Sequence, residues 1–104
     1  AGPMSTLLAD VPRTFSTPEL RVDCPEDKKF ELVRRAQAFF SSRYQAVTVD
    51  GVRVEFPDGW GLVRASNTQP ILVLRFEATT EGRLAEIRKL VEDEVARLLA
   101  ELGA

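Results

Sequence analysis

Val52-Arg53-Val54-Glu55-Phe56-Pro57-Asp58-Gly59-Trp60-Gly61-Leu62-Val63-Arg64-Ala65, then Ser66-Asn67-Thr68-Gln69-Pro70, then Ile71-Leu72-Val73-Leu74-Arg75-Phe76-Glu77-Ala78, is the stretch that decides the fold. Its first run alternates, with Val52, Val54 and Phe56 on one side and Arg53 and Glu55 on the other, the period of a half-buried strand. Pro57-Asp58-Gly59 supplies turn chemistry. Trp60 to Ala65 then reads as a second strand, Ser66 to Pro70 as a loop, and Ile71 to Ala78 as a long third strand. Leu72, Leu74 and Phe76 share one face of that strand, while Ile71, Val73, Arg75 and Glu77 share the other. Upstream, Val47-Thr48-Val49 is a further strand joined through Asp50-Gly51, a strong short hairpin signal. Connections this short join antiparallel neighbours, because a parallel pair needs a long crossover.

Working outward, Glu19 to Asp23 forms a short strand with Leu20 and Val22 on one side. Cys24-Pro25-Glu26-Asp27 opens a helix, since proline fits the first turn and acidic residues favour the N-terminal dipole. Phe30, Val33, Ala36, Phe39 and Phe40 follow as an apolar stripe through about Ser41, and the phenylalanines read as core. At the other end Thr80 caps a helix whose apolar positions are Leu84, Ile87, Val91, Val95, Leu98 and Leu102. Arg88 with Glu92 and Asp93 with Arg97 stand at i, i+4 on its outer side, and Gly103 stops it. This order predicts an α+β fold: a four- to five-stranded, mainly antiparallel sheet with two helices packed on one face. Trp60 is expected under those helices, and the other sheet face is expected to be at least partly exposed. Residues 1–18, with three prolines and no sustained period, read as a connector, and Ala1-Gly2-Pro3 before Met4 as the remnant of a tag. The domain proper is placed at residues 19–104.

A chain of 104 residues holds one domain. It is 44% hydrophobic and 29% charged, and its longest apolar run, Ile71 to Leu74, has the length of a strand. The formal charge is −2 and the isoelectric point about 5.2. Nucleic-acid modules draw most of their affinity from a basic excess, so neither nucleic acid nor a membrane is expected as a partner. The one cysteine, Cys24, excludes an internal disulfide and reads as a small buried hydrophobe suited to a reducing, cytoplasmic setting. Histidine is absent, which removes the commonest general base and the histidine-based nucleophile pairs and metal sites. Glu92-Asp93-Glu94 alternates with basic residues along a helix and reads as a solvated face. No catalytic residue and no metal ligand is therefore assigned.

The chemistry lies in Arg64-Ala65-Ser66-Asn67-Thr68-Gln69-Pro70. A phosphate dianion needs a cation and several donors converging on its oxygens. Arg64 offers a planar fork, Ser66 and Thr68 offer hydroxyls, Asn67 an amide, and the loop backbone can form a nest of N–H groups. No acidic residue interrupts Arg64 to Arg75. Taken alone, the heptapeptide is also what a plain polar turn requires.

Read in order, Asp50-Gly51-Val52-Arg53-Val54, Gly59-Trp60-Gly61-Leu62-Val63-Arg64-Ala65-Ser66-Asn67-Thr68-Gln69-Pro70 and Leu74-Arg75-Phe76-Glu77-Ala78 resemble the final domain of the α-D-phosphohexomutases. Within that family the bacterial phosphomannomutase/phosphoglucomutase group is most similar. Gln69 stands where members often have Glu. The resemblance is strong over about residues 50–78 and weaker from Thr17 through the first helix and on to the last. It implies a fold like that of the TATA-box-binding protein, within a four-domain enzyme that interconverts hexose 1- and 6-phosphates through a bisphosphate. It also implies a phosphoserine in the first domain, Mg²⁺ on the second and a sugar-reading loop on the third. A hexose bisphosphate activator is implied for the whole enzyme. To the fourth domain it assigns the phosphate that is not being transferred, which here falls to Arg64, Ser66, Asn67 and Thr68. Ser66 is then a ligand and not a nucleophile, because the signatures of the other three domains do not occur in this chain. The implied partners are the phosphosugar and those three domains. The alternative is a free-standing interaction module that binds a protein or nucleic acid through its open sheet face.

Overall fold

The computed structural model describes residues 14–103; most of the stretch read as a connector, including the tag remnant, lies outside the described residues. The elements are β1 (Phe15–Ser16), β2 (Leu20–Asp23), α1 (Lys29–Arg43), β3 (Gln45–Val47), β4 (Val52–Phe56), β5 (Gly59–Ala65), β6 (Ile71–Ala78) and α2 (Glu81–Glu101). All strand pairs are antiparallel, in the order β1-β6-β5-β4-β3, and β2 shares the β6 edge with β1. That edge is broken at Thr17-Pro18-Glu19. Proline has no N–H to give the ladder, and Thr17 donates its N–H to the Phe76 carbonyl at 3.0 Å while its Oγ1 accepts from the Phe76 N–H at 3.2 Å. The sheet thus has six strands, one more than the upper end of the expected architecture, and the extra one, β1, lies inside the stretch read as connector.

Both helices lie on one face. α1 covers β3, β4 and β5, and α2 covers β1, β5 and β6. Val52, Val54, Val63, Leu72, Leu74, Phe76 and Ala78 point into that layer and are fully buried, meeting Leu32, Ala36 and Phe40 of α1 and Ile87, Val91, Val95 and Leu98 of α2. The two faces expected for β6 are found. Trp60 departs from expectation. Gly59 and Gly61, flanking it, occupy the helix-facing positions of β5, so Trp60 turns to the open face. There it is half-buried, with the Arg53 guanidinium stacked 4.8 Å from its ring. A Cβ on Gly61 would stand 3.1 Å from Val91 Cγ2 and 3.0 Å from the Phe76 ring, and one on Gly59 would stand 2.8 Å from Ile87 Cδ1. The absent side chains are what let α2 approach.

Further corrections concern α1 and the hairpin. α1 runs two residues past Ser41, and regular helix begins at Lys29 after a turn in which Lys28 and Lys29 both donate to the Pro25 carbonyl. Its buried stripe is Lys29, Leu32, Val33, Ala36 and Phe40. Phe30 is 57% exposed, and Phe39 lies at the α1–α2 seam between the guanidinium groups of Arg43 and Arg97. The expected strand at Val47–Val49 sits two residues earlier, pairing Gln45↔Glu55, Ala46↔Val54 and Val47↔Arg53, so a four-residue connection replaces the two-residue one and leaves Val49 82% exposed. Asp50 and Gly51 both take positive φ, 56° and 116°, and Gln37 Nε2 holds the loop by donating to the carbonyls of Gly51 at 2.8 Å and Thr48 at 3.2 Å.

On α2, Thr80 Oγ1 accepts from the Arg83 N–H at 3.0 Å, the expected cap, and Gly103 closes the helix at φ 74°. Arg88 pairs with Glu92 at 3.2 Å as expected. Asp93 pairs instead with Lys89 at 3.0 Å, and Arg97 pairs with Glu101 at 3.3 Å and with Glu94, which is buried rather than solvated.

Two outcomes test this packing. Phe40→Ala is expected to cost about 3–5 kcal/mol by opening a core cavity, and Phe30→Ala to stay within about 0.5 kcal/mol, both read from urea midpoints. Gly51→Ala is expected to cost more than about 1 kcal/mol, because its Cβ would stand 2.5 Å from the Val63 carbonyl oxygen and 2.8 Å from Arg64 Cβ. An unchanged midpoint would refute the constraint.

Candidate phosphate-binding loop

Alternation along β5 sends Val63 into the core and Arg64 to the open face, one residue before the strand ends. Arg64 is paired in register with Val73, and its side chain is 37% exposed. The loop that follows closes tightly: Ser66 N–H donates to the Ile71 carbonyl at 3.1 Å, and Ile71 N–H to the Gln69 carbonyl at 2.8 Å. Inside it, Ser66 Oγ accepts from the N–H groups of Thr68 at 3.3 Å and Gln69 at 3.2 Å. A serine hydroxyl has two acceptor positions and one proton. With both acceptor positions engaged, the proton remains to be donated outward. Asn67 and Thr68 are exposed beside it. All four residues singled out from the sequence therefore lie at one end of the sheet. The backbone nest expected there is reduced, since two of its N–H groups are committed to Ser66.

Two residues of this region escaped the sequence reading. Glu19, from the β1–β2 junction, brings Oε2 within 3.9 Å of Arg64 Nη2, although no acid lies between Arg64 and Arg75 in sequence. At that separation and exposure the pair contributes at most about 1 kcal/mol. The other is Lys29, whose side chain is 0% exposed. Its Nζ donates to the Gln69 carbonyl at 2.9 Å and to Glu26 Oε1 at 3.0 Å, and lies 5.1 Å from the Phe30 ring centroid. Its helical spacing to Leu32, Val33, Ala36 and Phe40 was the available signal. Next to it, Cys24 N–H donates to the Pro70 carbonyl at 3.0 Å. The Cys24 side chain is buried as expected. Burial pushes its thiol pKa up, Asp27 adds to the rise, and Lys28 and Lys29 oppose it.

One surface hollow of about 390 Å³, lined in part by Arg53, Glu55, Trp60 and Glu77, lies at the far end of β5 from the loop. A second, about 350 Å³, lies beside the loop against Asp23, Cys24, Pro25 and Pro70. Among the described residues, no group of three or more His, Cys, Asp or Glu side chains converges. The Mg²⁺ implied for the whole enzyme finds no fitting donor set among these residues. No helix among them is long and apolar enough to cross a membrane.

Residues 19–94 match the family model described as the phosphoglucomutase/phosphomannomutase C-terminal domain. Over 87 residues the chain is 48% identical to a phosphoglucomutase of Neisseria gonorrhoeae, covering 81% of this chain and 19% of that protein. Over 97 residues it is 41% identical to a phosphomannomutase/phosphoglucomutase of Pseudomonas putida, covering 92% and 21%. A solved phosphoglucomutase/phosphomannomutase family protein from Burkholderia thailandensis superposes with a TM-score of 0.60 at 43% identity, over 95% of this chain and 20% of that one. The chain thus spans about a fifth of the length of these relatives. It belongs to the phosphoglucomutase/phosphomannomutase family, to whose C-terminal domain it corresponds.

Proposed function

We propose that this chain is the phosphate clamp of a phosphoglucomutase/phosphomannomutase, in which Arg64, Ser66, Asn67 and Thr68 hold the phosphate of a hexose phosphate that is not being transferred. The observation that carries the proposal is the state of Ser66. Its acceptor positions are satisfied within the loop, which leaves its proton to donate, and Arg64 two residues earlier on the same loop base supplies the cation that an anion also requires.

Phosphoryl transfer is catalysed largely by positioning and electrostatics. A grip on the distal phosphate uses binding energy remote from the reacting end to align it. Because a bisphosphate must present either end in turn, the grip has to tolerate both sugar orientations. An arginine with short hydroxyl and amide side chains reads the phosphate and leaves the sugar unread. The nucleophile, the metal and the sugar-reading loop belong, on this proposal, to three other domains of a cytoplasmic enzyme. This domain closes over the substrate they hold and excludes water. The acidic net charge supports neither nucleic acid nor a membrane surface as partner.

Arg64→Ala is expected to weaken glucose 6-phosphate binding by about 1.5–3 kcal/mol, roughly tenfold to hundredfold. Ser66→Ala should cost less, around 1 kcal/mol. The measurement is an amide-shift NMR titration with glucose 6-phosphate or a hexose bisphosphate. Shifts clustered on residues 64–70 and abolished by Arg64→Ala are the expected result. Shifts confined to the open sheet face, or appearing there only with a peptide or nucleic acid, would favour the interaction-module reading. The same titration is expected to be indifferent to Mg²⁺ and EDTA, and a tenfold change on chelation would contradict the assignment. The chain alone is expected to show no mutase turnover with glucose 1-phosphate.

A further inference from the structure

Two consecutive loop carbonyls, those of Gln69 and Pro70, are drawn to the back of the loop by the β2–α1 segment: Lys29 Nζ takes the first and the Cys24 N–H takes the second. Lys29 is the more demanding of the two. An ammonium shut away from water is costly unless its protons find acceptors, and this one has a carboxylate at 3.0 Å and a main-chain carbonyl at 2.9 Å. The carboxylate is supplied by Glu26, whose side chain is 66% exposed. A lysine kept solely for charge pairing would reach that carboxylate from the surface. Its burial ties α1 to the Gln69 carbonyl, which also accepts from the Ile71 N–H at 2.8 Å. Drawing carbonyl oxygens backward also removes acceptors from the front, where Ser66, Asn67 and Thr68 stand, and a phosphate is repelled by acceptors.

We infer that Lys29 is the positioning residue of this loop: by holding the Gln69 carbonyl from inside the fold it fixes the donor face of Ser66, Asn67 and Thr68 and thereby sets the affinity for a phosphate group. The inference rests on the clamp reading above. It places part of the specificity on α1, 40 residues from the loop it controls.

The test is Lys29→Met, which keeps most of the stem and removes the donors. Phe40→Leu serves as a control that loosens the same helix away from the loop. Both are titrated with inorganic phosphate and with glucose 6-phosphate, well below their melting temperatures. Lys29→Met is expected to raise Kd about tenfold for both probes and to speed amide exchange at Ser66, Thr68 and Gln69. Phe40→Leu is expected to lower the melting temperature with Kd unchanged. Unchanged Kd in Lys29→Met despite lower stability would reduce Lys29 to a structural lysine and leave the clamp standing. No loop shifts in the unaltered chain would overturn both readings. If Lys29→Met does not fold, the Lys29 ¹⁵Nζ resonance of the unaltered chain decides. It is expected to shift on phosphate addition with the same Kd as the loop amides, and a resonance that stays fixed while those amides move would overturn the inference.

Discussion

Gly59 and Gly61 leave bare backbone where β5 faces the helices, and α2 occupies that space with Ile87 and Val91. The rest of the arrangement depends on this contact. Because strand side chains alternate, seating α2 on the two glycines sends Trp60, Leu62 and Arg64 to the opposite face and Val63 into the core. A shift of one residue would exchange the faces, burying Arg64 and exposing Val63. The register that satisfies packing is therefore the register that delivers a guanidinium to the open side at the strand's end.

The loop beyond Arg64 is held from two directions. Strand pairing closes its base through Ser66 and Ile71, and the β2–α1 segment holds its rear through Cys24 and Lys29. Neither hold uses the side chains of Asn67 or Thr68. A buried ammonium contributes little net stability, since desolvation offsets much of what its hydrogen bonds return. Its value in such a place is a defined geometry. Glu19 acts in the other direction, as an acid near Arg64 in a weak, exposed pair.

The seam between the helices explains why aromatic residues misled the helical pattern. Phe39 packs edge-on against Phe40 with ring centroids 5.1 Å apart and is covered further by the guanidinium groups of Arg43 and Arg97, the latter claimed by Glu94 and Glu101. Those carboxylates push the Arg97 pKa further up, keeping it a permanent cation. Glu94 is buried beside it while the Arg97 side chain stays 52% exposed, so the pair sits at the edge of the apolar layer. Aliphatic stems and ring faces bury area there while charges remain paired.

The sequence by itself determined the strands from Val52 to Ala78, both helices, their common face on the sheet, the Thr80 cap, the loop at Ser66–Pro70 and the family. Each rests on interactions within a few residues: alternation, helical spacing, turn chemistry, a contiguous motif. Tertiary structure decided what depends on contacts distant in the chain. Trp60 lost its expected place to α2 because two glycines let a helix approach more closely than an indole would. Phe30 fell off the buried stripe because Lys29, one residue earlier, was drawn under a loop 40 residues away. The hairpin widened because Gln37 on α1 holds the Thr48 and Gly51 carbonyls. Glu19 reached Arg64 only because β2 and β5 both pair with β6. Local periodicity reports which face of an element is apolar. It does not report which polar group another element will hold, because that choice is made by hydrogen bonds that form only once the layers have packed.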